Sequence, residues 1–211
     1  MRRGAAPVAL ARDWFARPTV TVARDLIGCA LAVDSDTDAA VVARIVETEA
    51  YLGTADPASH AFRGPTPRAS VMFREPAHLY VYLSYGVHHC ANIVTEPDGV
   101  AGAVLLRAAS VESGEQIVRR RRGIAGPAHE LLRGPGNLCR GLALTLLDND
   151  LDLLASHARV RLVAATGRPP ITVTPRVGIT VAAEEGLRFT WDRHAAVSSR
   201  VPWKRMKKGP H

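Results

Sequence analysis

Hydrophobic spacing changes period several times along the chain, and each change marks an element. Pro18-Thr19 followed by apolar Val20, Ala23, Leu26 and Ile27, then Gly28, predicts a short helix stopped by glycine. Cys29–Val33 predicts a strand, Asp34–Asp38 a polar turn, and Val41–Tyr51 a second strand rich in β-branched residues. Gly53–Pro76 is a long connection studded with Gly53, Pro57, Gly64, Pro65, Pro67 and Pro76. Loops of that length in a compact domain are usually functional or disordered. His78–Tyr85 and Val100–Ala108 predict two more strands, with Val87–Val94 paired between them. Val111–Arg122 predicts a helix running out into four arginines, and Gly123–Gly134 a second loop. Pro135 opens a helix in which Leu138, Leu142 and Leu146 recur every four positions, ended by the polar Asp148–Asp152. Arg159–Val163, Ile171–Thr180 and Leu187–Thr190 predict three short closing strands. Strands in hairpin order with helices at the ends predict an α+β fold: a single domain with a curved, mainly antiparallel β-sheet flanked by helices.

Composition narrows this picture. The 211 residues suit one domain, expected over 1–203 with a basic tail at 204–211, and 47% apolar residues suffice for a core. No apolar run is long enough to span a bilayer, and the start MRRGAAPVALARDW does not read as a signal peptide. Cys29, Cys90 and Cys139 are odd in number and far apart, which argues against a disulfide framework or a zinc ribbon and for a reducing compartment. The net charge is +7, and the only lysines are Lys204, Lys207 and Lys208. Arginine-carried positive charge suits a polyanionic partner such as nucleic acid, although compositional drift in an Ala-rich chain would also produce it.

Two segments carry candidate chemistry. In Arg44-Ile-Val-Glu47-Thr-Glu49-Ala-Tyr51, strand alternation places Ile45, Glu47, Glu49 and Tyr51 on one face. That face is either a solvated edge with a glutamate paired to arginine, or a catalytic site. In Leu79-Tyr80-Val-Tyr82-Leu-Ser84-Tyr85-Gly86, three of the four tyrosines lie within six positions. Strand propensity accounts for one or two of them, but not for Tyr85 at a turn before glycine. Flat amphipathic rings concentrated in this way suit a planar ligand. Arg107 ends the apolar run Val104-Leu-Leu-Arg, where an arginine is commonly just solvated. His88-His89-x-x-Asn92 lacks a third ligand, so no metal is expected. Arg119–Arg122 could touch DNA, but a charge run of this kind is usually just a solvated face.

The motifs RIVETEAYLG, His60 nine residues after Tyr51, TPR-x-x-x-MF, LYVY-x-x-YG-x-x-x-C-x-N, VLLRA and GP-x-x-LC occur in that order. Together they resemble the 3-methyladenine DNA glycosylase family of the alkyladenine or N-methylpurine type, from about Thr21 to Ser199. The resemblance implies an enzyme that flips a damaged purine out of duplex DNA and hydrolyses its glycosidic bond. It implies Glu49 as general base, with Arg107 holding the water. Tyr51 and His60 would sandwich the base, Tyr82 would pack edge-on, and Asn92 would reject guanine. Tyr85 would intercalate. Thr66, Arg68 and Met72 would face DNA. Gly134-Pro-Gly136-Asn137 opens a helix and is either a phosphate site on free backbone N–H groups or a simple helix-starting turn. No lysine lies near the motifs, so no lyase step is expected. No cofactor is implied; the expected partner is double-stranded DNA bearing damaged purines, the protein a cytoplasmic monomer, nucleoid-associated in a bacterium. The rival reading is a non-catalytic nucleic-acid-binding module built on the tyrosines and arginines. A metal-dependent nuclease would need a clustered Asp/Glu set that the sequence lacks.

Overall fold

Strand β2 (Val41–Tyr51) is the axis of the protein. The computed structural model describes residues 10–198; the expected tail 204–211 lies outside them. β2 pairs along its length with β5 (Ala103–Ser113). On its other edge it pairs first with β1 (Ala30–Val33) and then, from Glu47, with β8 (Arg188–Trp191). β3 (Leu79–Ser84) and β4 (His88–Val94) extend the sheet beyond β5. β6 (Val160–Val163) extends it beyond β1, and β7 (Ile171–Thr174) pairs with β8. Every pairing is antiparallel, and the sheet curls into a half-barrel in a single α+β domain.

Among the described residues, four α-helices accompany the sheet: α1 (Arg12–Phe15), α2 (Thr19–Asp25), α3 (Glu115–Arg122) and α4 (Pro135–Leu142). The main core gathers Val22, Ala23, Leu26, Ile45, Leu79, Ile93, Leu106, Leu138 and Leu142. Side chains on the opposite face of β2–β5 are therefore free to line a pocket.

Several expected boundaries move; the strand expected over Ile171–Thr180 ends at Thr174, and the one expected from Val100 begins at Ala103. Val111–Ser113 belongs to β5, because its backbone stays in the ladder with Val42 and Ala43 of β2. The helix starts only after Gly114, whose φ of 77° breaks the strand and whose missing Cβ lets the Ala40 carbonyl approach. α4 stops at Leu142 because Ala143 turns left-handed at φ 53°, so Leu146 leaves the periodic face and is exposed. Arg119–Arg122 is not simply solvated: Arg119 pairs with Glu115, and Arg121 and Arg122 donate to the carbonyls of Gly141 and Leu131.

Candidate active site

Two compensating irregularities build the charged end of the site. Between Ile45 and Glu47, β2 has one residue too many for its partner; between Leu106 and Ala108, β5 has one too many. Val46 and Arg107 are the extra residues. A bulge reverses which face the following side chains take. Ile45 consequently stays in the main core, whereas Val46 packs with Ala108, Ala196 and Val197. Ile45 therefore does not share a face with Glu47, Glu49 and Tyr51, as strict alternation required.

Neither glutamate lies on a solvated edge: both are fully buried. Arg107 sits within β5 rather than at its end and is also buried. Its Nε donates to Glu47 Oε1 at 2.7 Å, and its Nη1 donates to Glu49 Oε2 at 3.3 Å. Glu47 also accepts from Arg188 Nε at 2.8 Å, from the Ser198 backbone N–H at 2.6 Å and from the Ser198 hydroxyl at 2.9 Å. Burial pushes the Glu47 carboxyl up, but Arg107 and Arg188 outweigh it and hold the group below its usual range. Burial works against the Arg107 charge too, and Glu49 and Glu47 reverse that, raising its pKa.

Glu49 is bonded differently. Oε2 accepts from Arg107 and, at 3.0 Å, from the Tyr51 hydroxyl; Oε1 accepts from the Val177 backbone N–H at 2.7 Å. Two lone-pair directions on each oxygen leave Oε1 with capacity for one more donor. Burial, and then the neighbouring Glu49, push the Tyr51 phenol well above its usual value, so it remains a donor. Asp56 and Arg176 hold the segment that carries Val177 in place. Arg176 donates to both Asp56 oxygens at 2.5 and 3.0 Å and to the Ala50 carbonyl, and its guanidinium lies 4.7 Å from the Tyr51 ring centre.

In front of this network lies a cavity of about 640 Å³. Its lining includes Tyr51, His60, Arg68, Tyr80, Tyr82, Asn92, Arg107 and Val177. His60 meets the Tyr82 ring edge-on at 4.6 Å, and Tyr80 lies 5.4 Å from Tyr82. The Asn92 amide donates to the Tyr80 carbonyl at 3.0 Å. Met72, expected to face DNA, is buried among Ala61, Ala69 and Tyr80 and lines the cavity. Thr66 and Arg68 are exposed, and the Thr66 hydroxyl accepts from the Ala69 N–H.

Tyr85 stands at the cavity rim, 93% exposed. Its φ of 50° and the Gly86 φ of 70°, with Val87 N–H bonded to the Ser84 carbonyl, form a type I′ hairpin turn. A tyrosine in that conformation costs about 1–2 kcal/mol. At the start of α4, Gly136 lies under the His88 ring, and the Asn137 amide folds back onto the Arg133 carbonyl at 2.7 Å. Pro135 also lines the cavity.

Sequence spacing missed Arg188, Ser198, Arg176, Asp56 and the Val177 N–H. Arg188 and Ser198 meet Glu47 across more than 140 residues, and no local pattern signals such a pair. Tyr80 was visible as one of the clustered tyrosines, but not as the partner of His60.

Aromatic side chains line the cavity, and the hydrogen-bonded Glu49 carboxylate lies just behind them. The family model described as methylpurine-DNA glycosylase matches residues 13–195. Among relatives named "Putative 3-methyladenine DNA glycosylase", one from Methanocella arvoryzae is 43% identical over 196 residues, covering 92% of this chain and 97% of that protein. One from Corynebacterium jeikeium is 45% identical over 195 residues, covering 88% and 89%. One from Mycolicibacterium fortuitum is 50% identical over 154 residues, covering 71% and 79%. The chain belongs to the methylpurine-DNA glycosylase family, and so to the hydrolases that act on N-glycosyl bonds. Among the described residues, no helix is long and apolar enough to cross a membrane.

Proposed function

We propose that this protein excises alkylated and deaminated purines from double-stranded DNA and leaves an abasic site without cutting the strand. The observation that carries the reading is Glu49, buried behind an aromatic slot with one acceptor position open on Oε1. Cleaving an N-glycosidic bond builds positive charge on the sugar. A fixed carboxylate both stabilises that charge and takes a proton from the attacking water. Arg107, Tyr51 and the Val177 N–H keep Glu49 in one orientation, so little reorganisation is needed as the reaction proceeds.

The base must first leave the helix, at a cost of a few kcal/mol. Tyr85 fills the gap and offsets part of the lost stacking. Tyr51 and His60 hold the extruded ring between them, Tyr82 meets its edge, and Asn92 crowds a guanine 2-amino group. The free N–H groups of Gly136 and Asn137 at the start of α4, together with Thr66, take DNA phosphates. A lyase step would need an amine nucleophile, and the only lysines are at 204, 207 and 208.

Single-turnover excision tests the reading, with duplexes each carrying one lesion and alkali to reveal abasic sites. Glu49→Gln is expected to bind lesion DNA normally and to lose excision by roughly 10²-fold or more. Near-normal excision would remove Glu49 from the mechanism. Affinity for undamaged duplex is expected to fall steeply with salt as arginine contacts release counterions; a flat salt response would count against a DNA footprint.

A further inference from the structure

The Arg176 and Asp56 side chains form an ion pair that is shut off from solvent, at 0% and 1% exposure. Burying two charges costs hydration that their attraction returns only in part, so such a pair is a poor source of stability. Arg176 also keeps its Nε buried with no hydrogen-bond partner, which adds to the cost. What the pair does supply is contact with three parts of the pocket at once.

The first part is the carboxylate. Arg176 precedes Val177, whose N–H donates to Glu49 Oε1 at 2.7 Å, and its own Nη1 donates at 3.0 Å to the carbonyl of Ala50, the residue after Glu49. The second part is Tyr51, because the guanidinium lies over that ring, 4.7 Å from its centre. The third is the turn that leads to His60. Asp56 Oδ2 accepts from the Leu52 N–H at 3.1 Å and Oδ1 from the Ala58 N–H at 3.0 Å, while its carbonyl accepts from the Ser59 N–H at 2.9 Å. Ala58, Ser59 and His60 then line the cavity. Two hydrogen bonds from Arg176 to Asp56, at 2.5 and 3.0 Å, tie this turn to the other two parts. A planar guanidinium offers its edge to both carboxylate oxygens and its face to a ring, which a lysine ammonium cannot do.

We propose that Arg176 is a positioning residue, which from its anchor on Asp56 sets both the aromatic walls of the slot, Tyr51 and His60, and the N–H that orients Glu49. Seating the base and activating the water then depend on one buried guanidinium. The catalytic part of this proposal rests on the glycosylase reading above; the part that concerns the Val177 amide does not.

Hydrogen exchange and single-turnover assays on the full chain test it. In the wild type, the Val177 amide is expected to exchange at least about a hundredfold more slowly than in an unstructured chain. Exchange at the unstructured rate would overturn the proposal whatever the variants do. Arg176→Lys keeps the charge and loses the fork; it is expected to speed Val177 exchange about tenfold while the amides of β1 keep their wild-type rates. Excision is expected to fall about tenfold and lesion-duplex affinity about threefold. Affinity for a duplex carrying a tetrahydrofuran abasic-site analogue, which puts no base in the slot, is expected to stay unchanged. Asp56→Asn, which leaves Arg176 with an uncharged anchor, is expected to move the same readouts in the same direction, and it carries the test should Arg176→Lys not fold. Arg159→Gln breaks ion pairs with Asp34 and Asp148 outside the cavity lining and is expected to move none of them. Equal weakening on lesion and abasic duplexes, excision no lower than in Arg159→Gln, or lost excision with Val177 exchange unchanged would each overturn the proposal and leave the pair a purely structural one. Wild-type protein that releases no damaged base would overturn the glycosylase reading and the catalytic part with it, while Val177 exchange would still decide the rest.

Discussion

The carboxylate end of the pocket and the β3–β4 hairpin tip lie on one face of the sheet and are built in opposite ways. Glu47, Glu49 and Arg107 are buried and tied by repeated hydrogen bonds. Tyr85 is almost wholly exposed and sits in a backbone conformation that its side chain disfavours. A group that meets developing charge gains from being fixed before the reaction. In the role proposed for Tyr85, a side chain that enters a base stack gains from reach. Hydrogen bonding is concentrated at the first region and backbone strain is kept at the second, which suits the role proposed for Tyr85.

Substitutions at the two ends should separate accordingly. The largest effect is expected at Glu47→Ala. It leaves Arg107 and Arg188 buried with a lost partner, and breaking a buried pair costs about 3–5 kcal/mol. Denaturant unfolding measures it, and a loss under 1 kcal/mol would show that Glu47 is not the hub of the network.

At the tip the sign should reverse. Tyr85→Asn places a residue that tolerates positive φ before Gly86, the favoured pairing for a type I′ turn, so stability should rise by about 0.5–1 kcal/mol. Excision of a lesion paired with thymine should nevertheless fall, and recover when the lesion is unpaired, where flipping costs little. Equal losses in both contexts would place Tyr85 in the fold or the pocket and end the contrast.

The smallest expected effect is on pH dependence. Glu47 and Asp56 have depressed pKa values when folded, so the unfolded chain takes up protons first as pH falls. The stabilisation they give is complete above the ordinary carboxylate range and is lost as pH drops through their folded values. The His60 pKa is also lowered, so its contribution declines as pH falls below the usual 6.5. Glu47→Gln should flatten the acid limb of melting temperature against pH, and Tyr85→Asn should leave its slope unchanged; matching slopes in the wild type and Glu47→Gln would show that Glu47 is not depressed.

How much of this was legible differs from residue to residue. β2 was visible with its bounds, because β-branched residues and alternating polarity announce a strand locally. The tyrosine cluster and its turn were visible for the same reason, since Tyr80, Tyr82 and Tyr85 are neighbours in the chain. α4 was overextended because a leucine every four positions is helical spacing whether or not the helix continues, and Ala143 turns without a glycine to mark it. The solvated reading of Arg107 failed because burial depends on partners that its own strand does not contain.

The sequence by itself determined the α+β class, the strand carrying both glutamates, the exposed tyrosine turn and the family, all properties of short-range pattern and of residue identity. Only the tertiary structure decided that Val46 and Arg107 are paired bulges, that Ile45 parts company with Glu47, and that Arg188, Ser198 and Val177 complete the carboxylate network. The reason is physical. A bulge is a mismatch between two strands and exists in neither alone. A buried charge is tolerable only once its partners have been brought to it, here from as far as 151 residues away along the chain.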